Sequence, residues 1–199
     1  MKKLVLCTIV MLLLISAAGC RKEEIIITTE DISVNTILAK ANGELKVATV
    51  EEFDKPYYTI GELKTFAMSE IDLYNQNAGG EKIIMEDSQI KNGKAIMLLS
   101  YTGMDQYSAF NKVAAAYFNG GIEDNPINMP ATLVNVKDKA PVNSDEVLKN
   151  DKYKVLIMNE PYDIIVDGAI KYYSDNAILV DKNKIKSAGE GMTVVVFKP

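Results

Sequence analysis

Cys20 is the side chain in this sequence best placed to do chemistry. A thiolate is the strongest common nucleophile among side chains. Ala17, Ala18 and Gly19, all small, precede it. The charged run Arg21-Lys22-Glu23-Glu24 follows at once. Upstream, Lys2 and Lys3 form a short basic region, and residues 4–18 are apolar apart from Thr8 and Ser16. That apolar stretch is 15 residues long, the length of an export-signal core and short of the roughly 20 residues that span a bilayer.

The order of basic residues, apolar core, small residues and cysteine resembles the lipobox signal of bacterial lipoproteins, with Ala17 where that pattern prefers Leu. The resemblance implies a signal peptide over residues 1–19, cleavage between Gly19 and Cys20, and fatty acylation (palmitate and its like) at Cys20. The partner it implies is the membrane, through that lipid, and the location is the extracytoplasmic face of the bacterial cell membrane, at the cell surface. Ordinary secretion with an incidental Cys20, or an uncleaved leader, are the competing readings. In both, Lys2 and Lys3 leave the remainder of the chain outside the cell.

Further along, other residue sets have the types that catalysis or binding would need. Ser88 and Lys91, with Ser174-Asp175-Asn176, match two of the three motifs of penicillin-recognising serine enzymes, in which a lysine one helical turn away activates the serine. No Lys-Thr-Gly is present, and Ser88 falls in an expected strand, where positions i and i+3 face opposite ways. Asp181, Asn183 and a trailing Glu190 have calcium-loop spacing, but Ile185 and Lys186 occupy the places of an oxygen ligand and of the turn glycine. A plain turn is the simpler reading. Glu51, Glu52 and Asp54 beside Tyr57 and Tyr58 could grip a sugar, or pair as acid and base in a glycosidase. The simpler reading is a solvated strand end. Tyr172 and Tyr173 are adjacent and must point to opposite faces of a strand. Gly189-Glu190-Gly191 lacks the following helix that a phosphate loop requires. The sequence therefore assigns no catalytic residues, no metal ligands and no cofactor.

Composition narrows the field. There is no His, the usual general base near neutral pH and commonest transition-metal ligand, and no Trp. The two cysteines are Cys7 and Cys20, one within the leader and one the lipid site, so no thiol remains for a disulfide or a thiolate-bound metal. The formal charge of −5 becomes −7 once Lys2 and Lys3 leave with the leader. Such a domain has no footprint for nucleic acid and gains nothing from anionic lipid head groups, so membrane attachment is expected to be covalent.

The elements that must position these residues read as an α+β fold: an antiparallel sheet with one main helix over about 59–78, a short second helix, and a β-rich C-terminal meander. Residues 20–30 read as a tether, 31–136 as an α+β domain, and 152–199 as the β-rich part, either separate or of the same domain. The polar stretch 137–151 is the candidate boundary. Asn42-Gly43, Asn92-Gly93 and Asp167-Gly168 are hairpin signals. Thr59 and Glu62 form a capping box, followed by Leu63, Phe66, Ala67, Ile71 and Tyr74 on one helical face. Gly79 and Gly80 end that helix. The run from Ala95 to Leu99 predicts a central strand, and Thr102, Gly103 and Asp105 the start of a second helix carrying Tyr107 and Phe110.

The string Glu52-Phe53-Asp54-Lys55-Pro56-Tyr57-Tyr58, then Glu62-Leu63-Lys64, Glu70-Ile71, Tyr74-Asn75, Tyr107 and Phe110-Asn111 resembles one in uncharacterised lipoproteins of anaerobic Gram-positive bacteria. It covers about residues 50–112 and implies location without chemistry. The leading expectation is a tethered binding or interaction module, with an envelope polymer or surface protein as partner. Hydrolysis of an envelope polymer by paired carboxylates, and a purely structural envelope role, are the alternatives.

Overall fold

The computed structural model describes residues 24–55, 57, 59–121, 129–187 and 189–199. Gly19 and Cys20, Tyr58 and most of the 119–130 loop lie outside the described residues. The fold is α+β, with two mostly antiparallel sheets.

Strands β1 (Thr36–Ala39) and β2 (Leu45–Glu52) form a hairpin, and β3 (Ile83–Lys91) and β4 (Lys94–Tyr101) another. Helix α1 (Ile60–Asn77) joins them, and α2 (Met104–Asn111) follows β4. Then come β5 (Ala115–Asn119), β6 (Thr132–Asn135), β7 (Pro141–Asn143), α3 (Ser144–Leu148) and β8 (Lys154–Met158). The strand-rich end holds β9 (Asp163–Val166), β10 (Ala169–Tyr173), β11 (Ala177–Asp181), β12 (Lys184–Ser187) and β13 (Thr193–Lys198). One sheet runs β11-β12-β9-β1-β2-β4-β3 and the other β5-β8-β13-β10-β6-β7. The C-terminal strands are thus shared between both sheets, and β9 pairs parallel with β1, Ile37 opposite Ile164.

The inner faces of the two sheets pack around Ile37, Val47, Leu99, Leu156, Ile164, Val195 and Phe197, all buried. Alternate residues of the seven-stranded sheet, Leu38, Ala48, Ile96 and Leu98, face outward and are covered by Ile27 and Ile32. The described end of the segment read as a tether therefore lies on the sheet, because that face is apolar and would otherwise be wet. The outer face of the other sheet, with Val155, Ile157, Val194 and Val196, is covered by Val147 and Leu148 of α3. Those two residues come from the polar stretch 137–151, whose single helical turn is too short to show periodicity.

Local chemistry explains the turns. At Asn92-Gly93 both residues have positive φ, 53° and 75°, as a two-residue type I′ hairpin requires. At Asn42-Gly43 only Gly43 does, and the loop closes through the Lys40 N–H and the Glu44 carbonyl at 2.9 Å. Thr59 caps α1: its hydroxyl accepts from the Glu62 N–H at 3.3 Å and donates to the Glu62 carboxylate at 2.7 Å. Of the expected apolar face, Ile71 is buried, whereas Phe66 is 64% exposed. Phe66 sits at the edge of the helical stripe, and the helix meets the sheet chiefly along β3. Asp167-Gly168 does not close a hairpin. It carries the chain from one sheet to the other, with the Asp167 N–H bonded to the Ala39 carbonyl at 2.9 Å.

Candidate functional site

The register of the seven-stranded sheet brings a set of charged side chains together at one end of its outer face. Lys46 lies opposite Ser100, and Ser100 opposite Ile84, so their side chains stand side by side. A bulge in β3 between Met85 and Asp87 inserts Glu86 beside them, as bulges do when they re-aim a side chain. Lys40 and Glu44 come from the β1–β2 loop, and Lys82 precedes β3. Together they line a cleft of about 280 Å³.

Its electrostatics are set by contacts. The Ser100 hydroxyl donates to Glu86 Oε1 at 2.6 Å, and Lys46 Nζ stands 3.5 Å from the same oxygen. The Ser100 hydrogen bond, helped by Lys46, holds the Glu86 carboxyl below the usual glutamate range despite partial burial. Lys40 pairs with Glu24 at 3.3 Å and Glu44 at 3.7 Å. Lys82 has no ion pair among the described residues. A carboxylate kept ionised is a poor general acid, and a weak base for the serine that donates to it. Cations, a fixed anion and hydroxyls around a small cleft can instead recognise a charged ligand.

The residues singled out from sequence do not assemble there. Ser88 and Lys91 share β3, and Lys91 reaches the Glu30 carbonyl. Ser174 is 1% exposed; it donates to Asn176 Oδ1 at 2.7 Å and accepts from the Val194 N–H at 2.9 Å. Asn176 in turn donates to the Glu190 carbonyl at 2.7 Å. The Ser-Asp-Asn run therefore stitches the β10–β11 turn to β13. Asp181 and Asn183 bound the β11–β12 turn, and Ile185 points into the core. No group of three or more potential metal-ligating side chains occurs among the described residues. Glu52 pairs with Lys94 at 3.1 Å and Asp54 with Lys55 at 3.6 Å, both at exposed positions. Tyr173 joins the core between the sheets, and Tyr172 packs edge-on against Tyr153 on the other side, with ring centroids 5.9 Å apart. Gly189 and Gly191 precede β13 with no helix after them.

One acid gives no signal in the sequence. Burial pushes the Glu160 carboxyl above the ordinary range, and its Oε2 is buried without a hydrogen-bond partner among the described residues. It lies beside Tyr107, a fully buried tyrosine that touches Tyr162. An acid before Pro161 in a loop belongs to no periodic pattern. Neither of the other contributions to its titration comes from a second carboxylate.

No protein-family model, curated protein or solved structure matches the chain.

Proposed function

We propose that the chain is an extracytoplasmic lipoprotein, held to the membrane by the lipid on Cys20, whose folded part binds a ligand rather than transforming it. Lys82 carries this reading: it lines the cleft with no ion pair among the described residues, while Ser100 and Lys46 engage the ionised carboxylate of Glu86 beside it. That arrangement favours recognition of a ligand bearing a carboxylate or phosphate, such as a fragment of an anionic envelope polymer. Hydrolysis by paired carboxylates would need a raised acid facing a second acid, and Glu160 has no such partner among the groups that shift it.

The test has two arms. Mass spectrometry of the mature protein reads the state of Cys20; a diacylated terminus is expected, and a bare thiol or a retained leader refutes the anchor. NMR titration with inorganic phosphate, glycerol phosphate and N-acetylated amino-sugar oligosaccharides reads the cleft. Saturable shifts at Lys40, Lys46 and Lys82, weakened several-fold in Lys82→Ala, are expected. Turnover of an oligosaccharide, or no shifts with any probe, refutes the binding role.

A further inference from the structure

The hairpin of β11 and β12 has an outward surface unlike the rest of the molecule. Ala177 and Leu179 point into the core between the sheets, so Ile178 points outward, 63% exposed, and Val180, at a bulge in β11, is 57% exposed. On β12, Ile185 is buried and Lys184 and Lys186 face out, with Lys186 opposite Ile178. Lys182 sits at the tip. Three lysines against one acid, Asp181, make residues 177–187 locally positive in a chain of net charge −5. Lys184 is paired with Asp163 at 2.8 Å; Lys182 and Lys186 have no ion pair among the described residues.

The N-terminal segment arrives at the tip of this hairpin. Ile26, 68% exposed, lines a cavity of about 640 Å³ with Lys182, Asn183, Gly168 and Lys198. Glu24 lines it too and is tied to Lys40. Cys20 is four residues earlier. Covalent geometry limits four residues to about 14 Å, so a lipid on Cys20 brings the bilayer surface to the end of the molecule where the hairpin tip lies.

We propose that the outward face of the β11–β12 hairpin, with Ile26, docks on the anionic phospholipid surface to which Cys20 is attached. Ile26, Ile178 and Val180 enter the head-group region, and Lys182 and Lys186 lie against lipid phosphates. The whole-chain charge opposes such contact, but within a screening length of about 10 Å the local lysines dominate. The inference rests on the anchoring reading and adds an orientation to it: the Lys40–Lys46–Lys82 cleft, joined to this face through the Glu24–Lys40 pair, stands next to the membrane.

The test uses the lipidated mature protein in vesicles of phosphatidylcholine with or without phosphatidylglycerol. With no thiol other than the acylated Cys20, Asn183→Cys and Lys149→Cys can each carry a single fluorophore. Lys149 caps α3, which covers the outer face of the opposite sheet. Quenching by a head-group nitroxide lipid is expected to be several-fold stronger at residue 183 than at 149 when phosphatidylglycerol is present. The difference should fall in high salt and vanish in Ile178→Glu/Val180→Glu, at exposed sites that leave the fold intact, while the protein stays on the vesicles. Equal quenching at both positions of a lipidated protein overturns the docking alone. So does a dimer in which the β11 edges of two copies pair, seen as a disulfide cross-link between two unlabelled Asn183→Cys molecules. A protein with bare Cys20 that does not float with vesicles overturns the anchor and the docking together.

Discussion

Replacing a glycine by alanine at two positions should change stability in opposite directions. A Cβ on Gly168 would stand 2.4 Å from the Lys198 carbonyl oxygen and 2.8 Å from Phe197 Cδ2. Ordinary contact begins near 3.4 Å, so β13 must retreat about 1 Å at its oxygen. The obstacle is backbone, and Phe197 is fully buried in the core between the sheets, so little can give. Overpacking of this kind costs about 1–3 kcal/mol, which for a protein of this size lowers the midpoint by about 2–12 °C. At Gly61, in the first turn of α1, an added Cβ meets nothing within 4 Å. There alanine only restricts the unfolded chain and favours the helix, a gain of about 0.4–1 kcal/mol. Thermal melts of the mature protein followed by circular dichroism measure both. If Gly168→Ala melts at or above the parent, β13 yields to the added methyl and the close approach at residue 168 costs nothing.

Asn75 should also prove costly to lose. Its Oδ1 accepts from the Lys82 and Ile83 N–H groups at 2.9 and 3.0 Å, and its Nδ2 donates to the Ile83 carbonyl at 2.8 Å. Asn75→Ala leaves those groups unpaired where the helix meets β3, so urea titration should show a loss of about 1–3 kcal/mol with an unchanged slope. At Glu160 the folded state favours the protonated acid, so its contribution is present below the ordinary glutamate value and is lost as pH rises through the raised one. Glu160→Gln should therefore melt above the parent at pH 7, with the gap closing towards pH 4. The sign is reversed at Glu86, whose lowered carboxyl contributes above the ordinary value and loses that contribution as pH falls. Ser100→Ala, read by NMR titration of the Glu86 carboxyl, should move its pKa upward.

Where a residue's role depends on its near neighbours in the chain, it was legible. Thr59 caps α1, Asn92-Gly93 takes the two left-handed conformations of its turn, and the apolar run at 95–99 lies in β4 between two partners. The absence of His, the positions of Cys7 and Cys20 and the lipobox resemblance come from the sequence alone, and they still set the expectation for address and anchor. Strand geometry separates i from i+3, which argues against Ser88 as a nucleophile, and its place in β3 agrees.

What long-range contacts decide was not legible. The parallel pairing of β1 with β9 joins residues more than a hundred positions apart, and no local pattern encodes which strand lies beside which. Asp167-Gly168 has the composition of a hairpin, but its glycine is needed for close approach to β13, a demand made by a strand about thirty residues later. The cleft needed the β3 bulge to set Glu86 beside Ser100 and Lys46, and Glu160 acquired its titration from burial beside Tyr107. Turn and cap chemistry acts over a few residues of covalent chain. Burial, register and pKa arise from surfaces that meet only when the chain is folded.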